Sequence, residues 1–445
     1  MTSTLGIDSN LQVGTLKKSH APCKKVKFSL NPDSNTSFNM SDTIRFTLPI
    51  RKNTFLVNPN SYLKFKLTNN TGANLILDNT AGCIIERLEE FSGGNLLSSL
   101  SNYSCLYHIL YDTKYSTADK IGFSNYNGQA LSGINFTANG SGATLDATGL
   151  ITTKASGEVI PDGETRTYCH SLMSPAYGLL NDKYFPLWAL QNGGDARLEI
   201  TLASAIKAFI SADATDTNVV ISDVSFELEL LECSDMAMAM VADTMGPNGV
   251  ILHATGFRDY TGTIQTASNG AQTHLINSRY SSLKTLITAY LNNDGDNVSH
   301  STTSRVKPIN SYQLRVNSNF VPQRPITDDP TFFIESMLAF HNDPFSLHNK
   351  GSISKDDYTA YLNNAGNDYS YITGDSFKNK FFVAQDLSSI HGKDSLIMAG
   401  VSTLNNPVFT DIVLSRTTIS SLFVVNYAEF DLIIQIENGV AKVRF

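Results

Sequence analysis

Two stretches of this chain each close on a long run of alternating apolar and polar residues. The first is VSFELELLE, ending at Glu232, and the second is FDLIIQIENGVAKVRF, ending at Phe445. Alternation at period two puts every second side chain on one face, as a half-buried β-strand requires. A half-buried strand needs a sheet beside it and a second layer over its apolar face. The pattern therefore predicts two β-sandwiches in series, one from about Val26 and one from about Val250. With 445 residues, each half is long enough to build its own core.

Strand signals fill both halves. TIRFTLPI and SYLKFKL alternate cleanly. CIIERLEEFSGGNLL predicts a strand from Ile84 to Phe91 and a turn at Gly93-Gly94. Then Leu96, Leu100, Tyr103, Tyr107 and Leu110 follow at steps of four and three, which predicts an amphipathic helix over Leu96–Asp112 docked through Leu100, Tyr103 and Tyr107. Residues 122–165 are rich in Gly, Ser, Thr and Asn and read as a long surface loop. PLWAL and ARLEITLASA resume the sheet, with Trp188 in an apolar strand. Val224, Phe226, Leu228 and Leu230 share one face of the strand that ends the half. SDMAMAMVADTMGPNG marks the boundary, with a break at Gly246-Pro247-Asn248-Gly249.

In the second half SSLKTLITAYL reads as a strand. SYQLRVNSNF reads as another, stopping at Pro322. DPTFFIESMLAFHN fits a helix with Pro330 at its start and Phe333, Met337 and Phe340 on one face. A short helix is expected over Asp356–Leu362. Asn438-Gly439 is the strongest hairpin signal in the chain. The expected organisation is an arm over 1–25, a first sandwich over 26–235, a linker over 236–249 and a second sandwich over 250–445.

Charged residues make up only 17% of the chain, and Ser, Thr and Asn take much of the surface. The formal charge of −8 argues against a general nucleic-acid surface. One local exception exists. Lys17, Lys18, Lys24, Lys25 and Lys27 face a single acid, Asp8, within residues 1–27. They are the candidates for contact with an acidic neighbour, a lipid surface or genome. Five cysteines are scattered without a CxxC pair and read as reduced thiols. The first residues lack the apolar core of a signal peptide, and no apolar run reaches membrane-spanning length.

Signatures of catalysis are missing. There is no phosphate loop, nucleophile elbow, HExxH or paired CxxC. Cys169 and His170 are adjacent in a strand and so point to opposite faces. Asn292, Asp294 and Asp296 mimic the start of a calcium loop, but its sixth position is Asn297 and its twelfth is Thr303. NNDGDN therefore reads as a hairpin tip. No catalytic, cofactor-binding or metal-binding residue is assigned, and the chain is expected not to be an enzyme.

Four landmarks, in order, resemble the double jelly-roll major capsid proteins. They are IERLEEFSGGNLLSSLSNYSCLYHIL; SPAYGLLNDKYFPLWALQNGGDARLEITLASA; SRYSSLKTLITAYL with SYQLRVNSNFVPQRPI; and FFVAQDLSS with the C-terminal FDLIIQIENGVAKVRF. That lineage includes capsid proteins of adenoviruses, tailless membrane-containing phages, virophages and polinton-like viruses. In look the chain is most similar to the polinton-like and virophage branch. The resemblance implies an all-β fold of two consecutive eight-stranded jelly rolls with a few short helices. It further implies a homotrimeric, pseudo-hexagonal capsomer of an icosahedral DNA-virus shell. The implied partners are neighbouring capsomers, penton and minor capsid proteins, and an internal membrane or genome on the inner side, reached by the N-terminal arm. No cofactor is implied, and the location is the virion. A viral spike or lectin-like receptor-binding sandwich is the alternative. A carbohydrate-active jelly-roll enzyme, which needs two converging carboxylates, ranks below both.

Overall fold

The structure is a computed structural model. It describes residues 22–129, 157–181, 183–191, 193–210, 214–244, 249–264, 270–292, 301–302, 304–340, 353, 358, 380–388, 399–414 and 422–445. Eight strands build the first sandwich: β1 Cys23–Leu30, β2 Thr43–Leu48, β3 Tyr62–Asn69, β4 Ile85–Ser92, β5 Asn95–Leu100, β6 Thr165–His170, β7 Ala196–Leu202 and β8 Val219–Cys233. They pair in the orders β1-β8-β3-β6 and β2-β7-β4-β5. Short strands Ser37–Asn39 and Thr54–Leu56 add to β8.

The second sandwich repeats this with β9 Val250–Ile264, β10 Ala271–Ile276, β11 Leu283–Asn292, β12 Ile309–Val316, β13 Asn319–Ile326, β14 Val383–Asp386, β15 Val408–Leu414 and β16 Leu422–Glu437. Its orders are β9-β16-β11-β14 and β10-β15-β12-β13. Adding eight to each strand number converts the first pair of sheets into the second. First and last strands are neighbours in one sheet, and each sheet draws on strands from both ends of its half. That is the jelly-roll arrangement of two interleaved Greek keys. A final strand, β17 Val440–Arg444, folds back on β16.

The alternation in the sequence fills the cores as expected. Phe46, Leu63, Phe65, Leu198, Ile200 and Phe226 are at most 1% exposed. In β8 the buried positions change parity, from Val219 and Ile221 to Val224, Phe226, Leu228 and Leu230. A register shift between Ser222 and Ser225, with Asp223 at φ +48°, makes the change. One extra residue in a bulge keeps the apolar side inward along a fifteen-residue strand. Gly93-Gly94 closes the β4–β5 hairpin at φ +54° and +81°, and Asn438-Gly439 closes β16–β17 at +52° and +82°. Both are two-residue turns with positive φ at each centre, the geometry that matches strand twist.

Four helices matter here: α1 Tyr103–Lys114, α2 Thr117–Asn127, α3 Asp235–Thr244 and α4 Asp329–Leu338. Helix α1 follows the fifth strand of the first sandwich, and α4 follows the fifth strand of the second. The duplication therefore extends to the helices. Asp328 caps α4, accepting from the Thr331 amide at 2.9 Å, and Pro330 lies in its first turn.

Several expectations need correction. The helix expected from Leu96 starts at Tyr103. Residues 95–100 are the edge strand β5, with Leu97 and Leu100 buried and Leu96 47% exposed. A register shift between Glu90 and Phe91 disturbs the alternation of this hairpin, so the step from Leu96 to Leu100 imitates a helical one. Tyr103 and Tyr107 are buried as expected. Leu100→Ala is expected to cost about 2–5 kcal/mol, read as a lower urea midpoint. An unchanged midpoint would count against its packing.

The loop expected over 122–165 begins inside α2, and its last residues enter Val159–Ile160 and β6. Its middle, 130–156, lies outside the described residues. Trp188 sits in a short 3-10 turn, Leu187–Leu190, and meets Phe55 edge-on at 6.3 Å. SYQLRVNSNF turns at Asn317-Ser318, with Asn317 at φ +57°, and Val316 pairs with Asn319. Pro322 lies within β13, an outer strand where a missing N–H is tolerated. The Met-Ala run forms α3. The NNDGDN tip from residue 293 on, and nearly all of Asp356–Leu362, lie outside the described residues.

Candidate assembly surfaces and the seam between the sandwiches

Of the five lysines singled out by charge, Lys17 and Lys18 lie outside the described residues. Lys24, Lys25 and Lys27 are not in an arm. They belong to β1, opposite Glu232, Leu231 and Glu229 of β8. Val26, Phe28 and Leu30 alternate with exposed Lys25, Lys27 and Ser29, so a strand signal was present beneath the charge. Strand β1 is outermost in its sheet. Lysines on such an edge deter pairing with a stray strand. Lys25 Nζ lies 2.8 Å from Glu229 Oε1, which also accepts from Asn60 Nδ2 at 2.9 Å. These donors hold the Glu229 carboxyl below its usual range. Lys27 lines a surface cleft with Asn60, Tyr62, Glu227 and Glu229. The edge thus presents both signs of charge side by side.

The two sandwiches meet over α1, where eleven of twelve residues are buried. One face carries an aromatic ladder. Tyr103 stacks on Tyr107 at 6.0 Å and Tyr107 on Tyr111 at 5.8 Å, at successive steps of four residues. The Tyr103 hydroxyl sits 3.1 Å from His170 Nε2 on β6, and the His170 ring packs against Tyr107 at 4.4 Å. His170 is buried, whereas Cys169 beside it is only half-buried, as strand alternation requires.

The second sandwich holds the rest of the helix. Asp259 of β9 accepts from the Ser101 amide at 3.0 Å and from Asn102 Nδ2 at 3.2 Å. The Tyr427 hydroxyl of β16 donates to the Asn102 carbonyl at 2.8 Å. Farther along, His108 Nδ1 lies 2.9 Å from Ser301 Oγ and 3.1 Å from Thr302 Oγ1, and its Nε2 lies 3.0 Å from Thr80 Oγ1. Ser301 Oγ and the Thr302 amide both donate to Asp78 Oδ2, at 2.8 and 2.7 Å. Burial lowers His108 to about 4 and His170 to about 3. Both rings are neutral at pH 7.

Asp112 ends this row and is fully buried. Lys120 of α2 binds its Oδ1, Lys380 reaches the same oxygen at 3.3 Å, and the Arg305 guanidinium lies 3.5 Å from Oδ2. Despite its burial, these cations hold the carboxyl well below the ordinary range. One carboxylate therefore ties α1 and α2 to two separate segments of the second half. Sequence reading missed this group. Asp112, Arg305 and Lys380 lie far apart in the chain, and no local spacing announces them.

A second contact closes the far side of the seam. The Ala441 amide of β17 donates to Ser92 Oγ at 3.2 Å, and Asn95 Nδ2 donates to the Ala441 carbonyl at 3.3 Å. The Asn438-Gly439 turn presses on Gly193. A Cβ at Gly193 would lie 2.6 Å from the Gly439 carbonyl carbon and 2.7 Å from the Asn438 oxygen. Only glycine permits that approach.

Among the described residues, no group of His, Cys, Asp and Glu side chains is placed to hold a metal ion. Nor is any described helix long and apolar enough to cross a membrane.

No protein-family model matches the chain, and no curated protein matches it. Solved structures do. The PBCV-1 virus capsid aligns over 97% of this chain and 99% of that one, at 9% identity and a TM-score of 0.61. The Faustovirus major capsid protein aligns over 96% and 93%, at 8% identity and 0.59. The mavirus major capsid protein aligns over 100% and 96%, at 10% identity and 0.53. At such identities the likeness is one of fold, and it spans both sandwiches. The chain has the double jelly-roll fold of these viral major capsid proteins.

Proposed function

We propose that this chain is a major capsid protein with a structural, non-catalytic role in the virion shell. The observation that carries the reading is the repeat itself. Two jelly rolls of identical strand order, each with a helix after its fifth strand, are joined by buried polar contacts into one unit. Three such units give six similar sandwiches around a three-fold axis. A trimer of this kind meets near-six-fold neighbours while keeping closed symmetry. The low share of charged residues suits broad polar contacts between copies.

In this reading the first sandwich spans 23–233, α3 and the residues after it connect, and the second spans 250–445. Residues 1–22, with Lys17 and Lys18, serve inner-side contacts with lipid or genome. Penton and minor capsid proteins complete an icosahedral lattice.

The test is the mass of the purified chain at micromolar concentration, paired with negative-stain imaging. The expected result is three times the 48.6 kDa chain mass, in particles of pseudo-hexagonal outline. A stable monomer, or an elongated trimer with a shaft, would overturn the reading.

A further inference from the structure

Two of the five cysteines, 210 residues apart in the chain, meet in space. Cys23 opens β1, Cys233 closes β8, and the antiparallel register sets them directly opposite. Their sulfur atoms are 3.3 Å apart. Neighbouring hydrogen bonds define the kind of pair. The Ser234 amide donates to the Pro22 carbonyl at 3.1 Å, while the Cys233 amide turns away to the Asn53 carbonyl at 2.9 Å. Cys23 and Cys233 are therefore a non-hydrogen-bonded pair. Facing Cα atoms in such pairs come within about 4.5 Å, inside the range of about 4.4–6.8 Å that a disulfide spans.

Access separates this pair from the other thiols. Cys23 and Cys233 are half-buried, within reach of a small reagent, whereas Cys83 and Cys105 are buried. Cys169 is also half-buried, but it sits on β6 opposite Lys64. The position matters as well. Among the described strands β1 pairs with β8 alone, so β8 is its one neighbour in the sheet.

We propose that Cys23 and Cys233 are the reduced half of a reversible disulfide, closed when the protein meets a disulfide oxidant such as oxidised glutathione. The Cys23 thiolate attacks one sulfur of oxidised glutathione, and one glutathione thiolate leaves. Cys233 gives its proton to solvent and attacks the Cys23 sulfur, and the second glutathione thiolate leaves. Two cysteine thiols lose two electrons, and one glutathione disulfide gains them. Burial and the adjacent Cys23 thiol push the Cys233 thiol up to about 11, which slows the second step near neutral pH. The closed bond joins the first strand of the first sandwich to its last. It removes a large loop-closure entropy from the unfolded chain.

The test uses the full-length protein held with oxidised glutathione or with dithiothreitol. Peptide mapping under non-reducing conditions, with free thiols alkylated, is combined with thermal melts. The expected result is a linked peptide pair containing Cys23 and Cys233 in the oxidised sample only, with a melting temperature several degrees higher. Cys233→Ser is expected to lose both effects and to melt like the reduced wild type. Separate glutathione adducts on the two cysteines, continued alkylation of both, or a linked pair without a rise in melting temperature would each overturn the proposal. Mapping of the wild-type chain decides the linkage even if the variant folds poorly.

Discussion

Replacing Asp112 with Ala is expected to cost about 3–5 kcal/mol. The size follows from what remains. Arg305 is fully buried, and Lys120 and Lys380 have side chains only 3% and 13% exposed. Without the carboxylate each loses a counter-charge in a medium that solvates its own charge poorly, and part of the desolvation already incurred is no longer offset. A denaturation midpoint in urea measures the loss. Lys380→Met, which removes one of three cations and leaves the carboxylate satisfied, is expected to cost clearly less. Equal midpoints for wild type and Asp112→Ala would show that the buried cluster does not hold the sandwiches together.

Lowering the pH from 7 to 4 is expected to destabilise the fold, and the sign follows from three buried groups. His108 and His170 are lowered to about 4 and about 3 because burial disfavours the imidazolium. The unfolded chain takes up protons near 6.5 and the folded chain does not. Stability therefore falls as pH drops below about 6.5, by roughly 3 kcal/mol for each ring by pH 4. Glu90 works the other way. Burial pushes its carboxyl up to about 7 although it accepts from the Ala176 and Tyr177 amides at 3.1 and 2.7 Å. The folded form binds that proton more readily than the unfolded one, so about 3 kcal/mol returns between pH 7 and 4.5. Two rings against one carboxyl leave a net loss. Below the ordinary carboxylate range Asp112 adds to it, since its pairing is lost on protonation. Melts at several pH values check the balance. His170→Asn should flatten the decline, and Glu90→Gln should steepen it. A His170→Asn profile parallel to wild type would show that the ring is not held neutral.

Much of the fold was legible because a sandwich is specified by local rules. TIRFTL, SYLKFKL and FDLIIQIE alternate because one face of each is buried, and the Gly93-Gly94 and Asn438-Gly439 turns announce themselves by the φ values they require. Errors arose where one rule imitated another. Leu96 and Leu100 sit four apart in a strand whose alternation a bulge disturbs, and Tyr103 continues that spacing in a true helix. Lysines 24, 25 and 27 looked like a tail because their charge drew more notice than Val26, Phe28 and Leu30 between them. Asn317-Ser318 turns without a glycine and left no sign. The seam could not be read at all. His108 meets Ser301, and Asp112 meets Arg305 and Lys380, only after both halves have folded, and pairings at that range leave no periodicity behind.

The strand order also sets a timetable for synthesis. In each sandwich the first strand lies beside the last, so neither sheet pair can close until its eighth strand has left the ribosome. Strand β8 ends at Cys233 and β16 begins at Leu422. At ordinary elongation rates that gap of about 190 residues takes on the order of 10–40 s. The first jelly roll therefore has time to close alone, while the Arg305, Lys380 and Tyr427 partners of its helix are still being made. During that interval Asp112 holds Lys120 but not yet Arg305 or Lys380, and the side of the helix that meets the second half faces water or a chaperone. The later half then folds against a surface already in place.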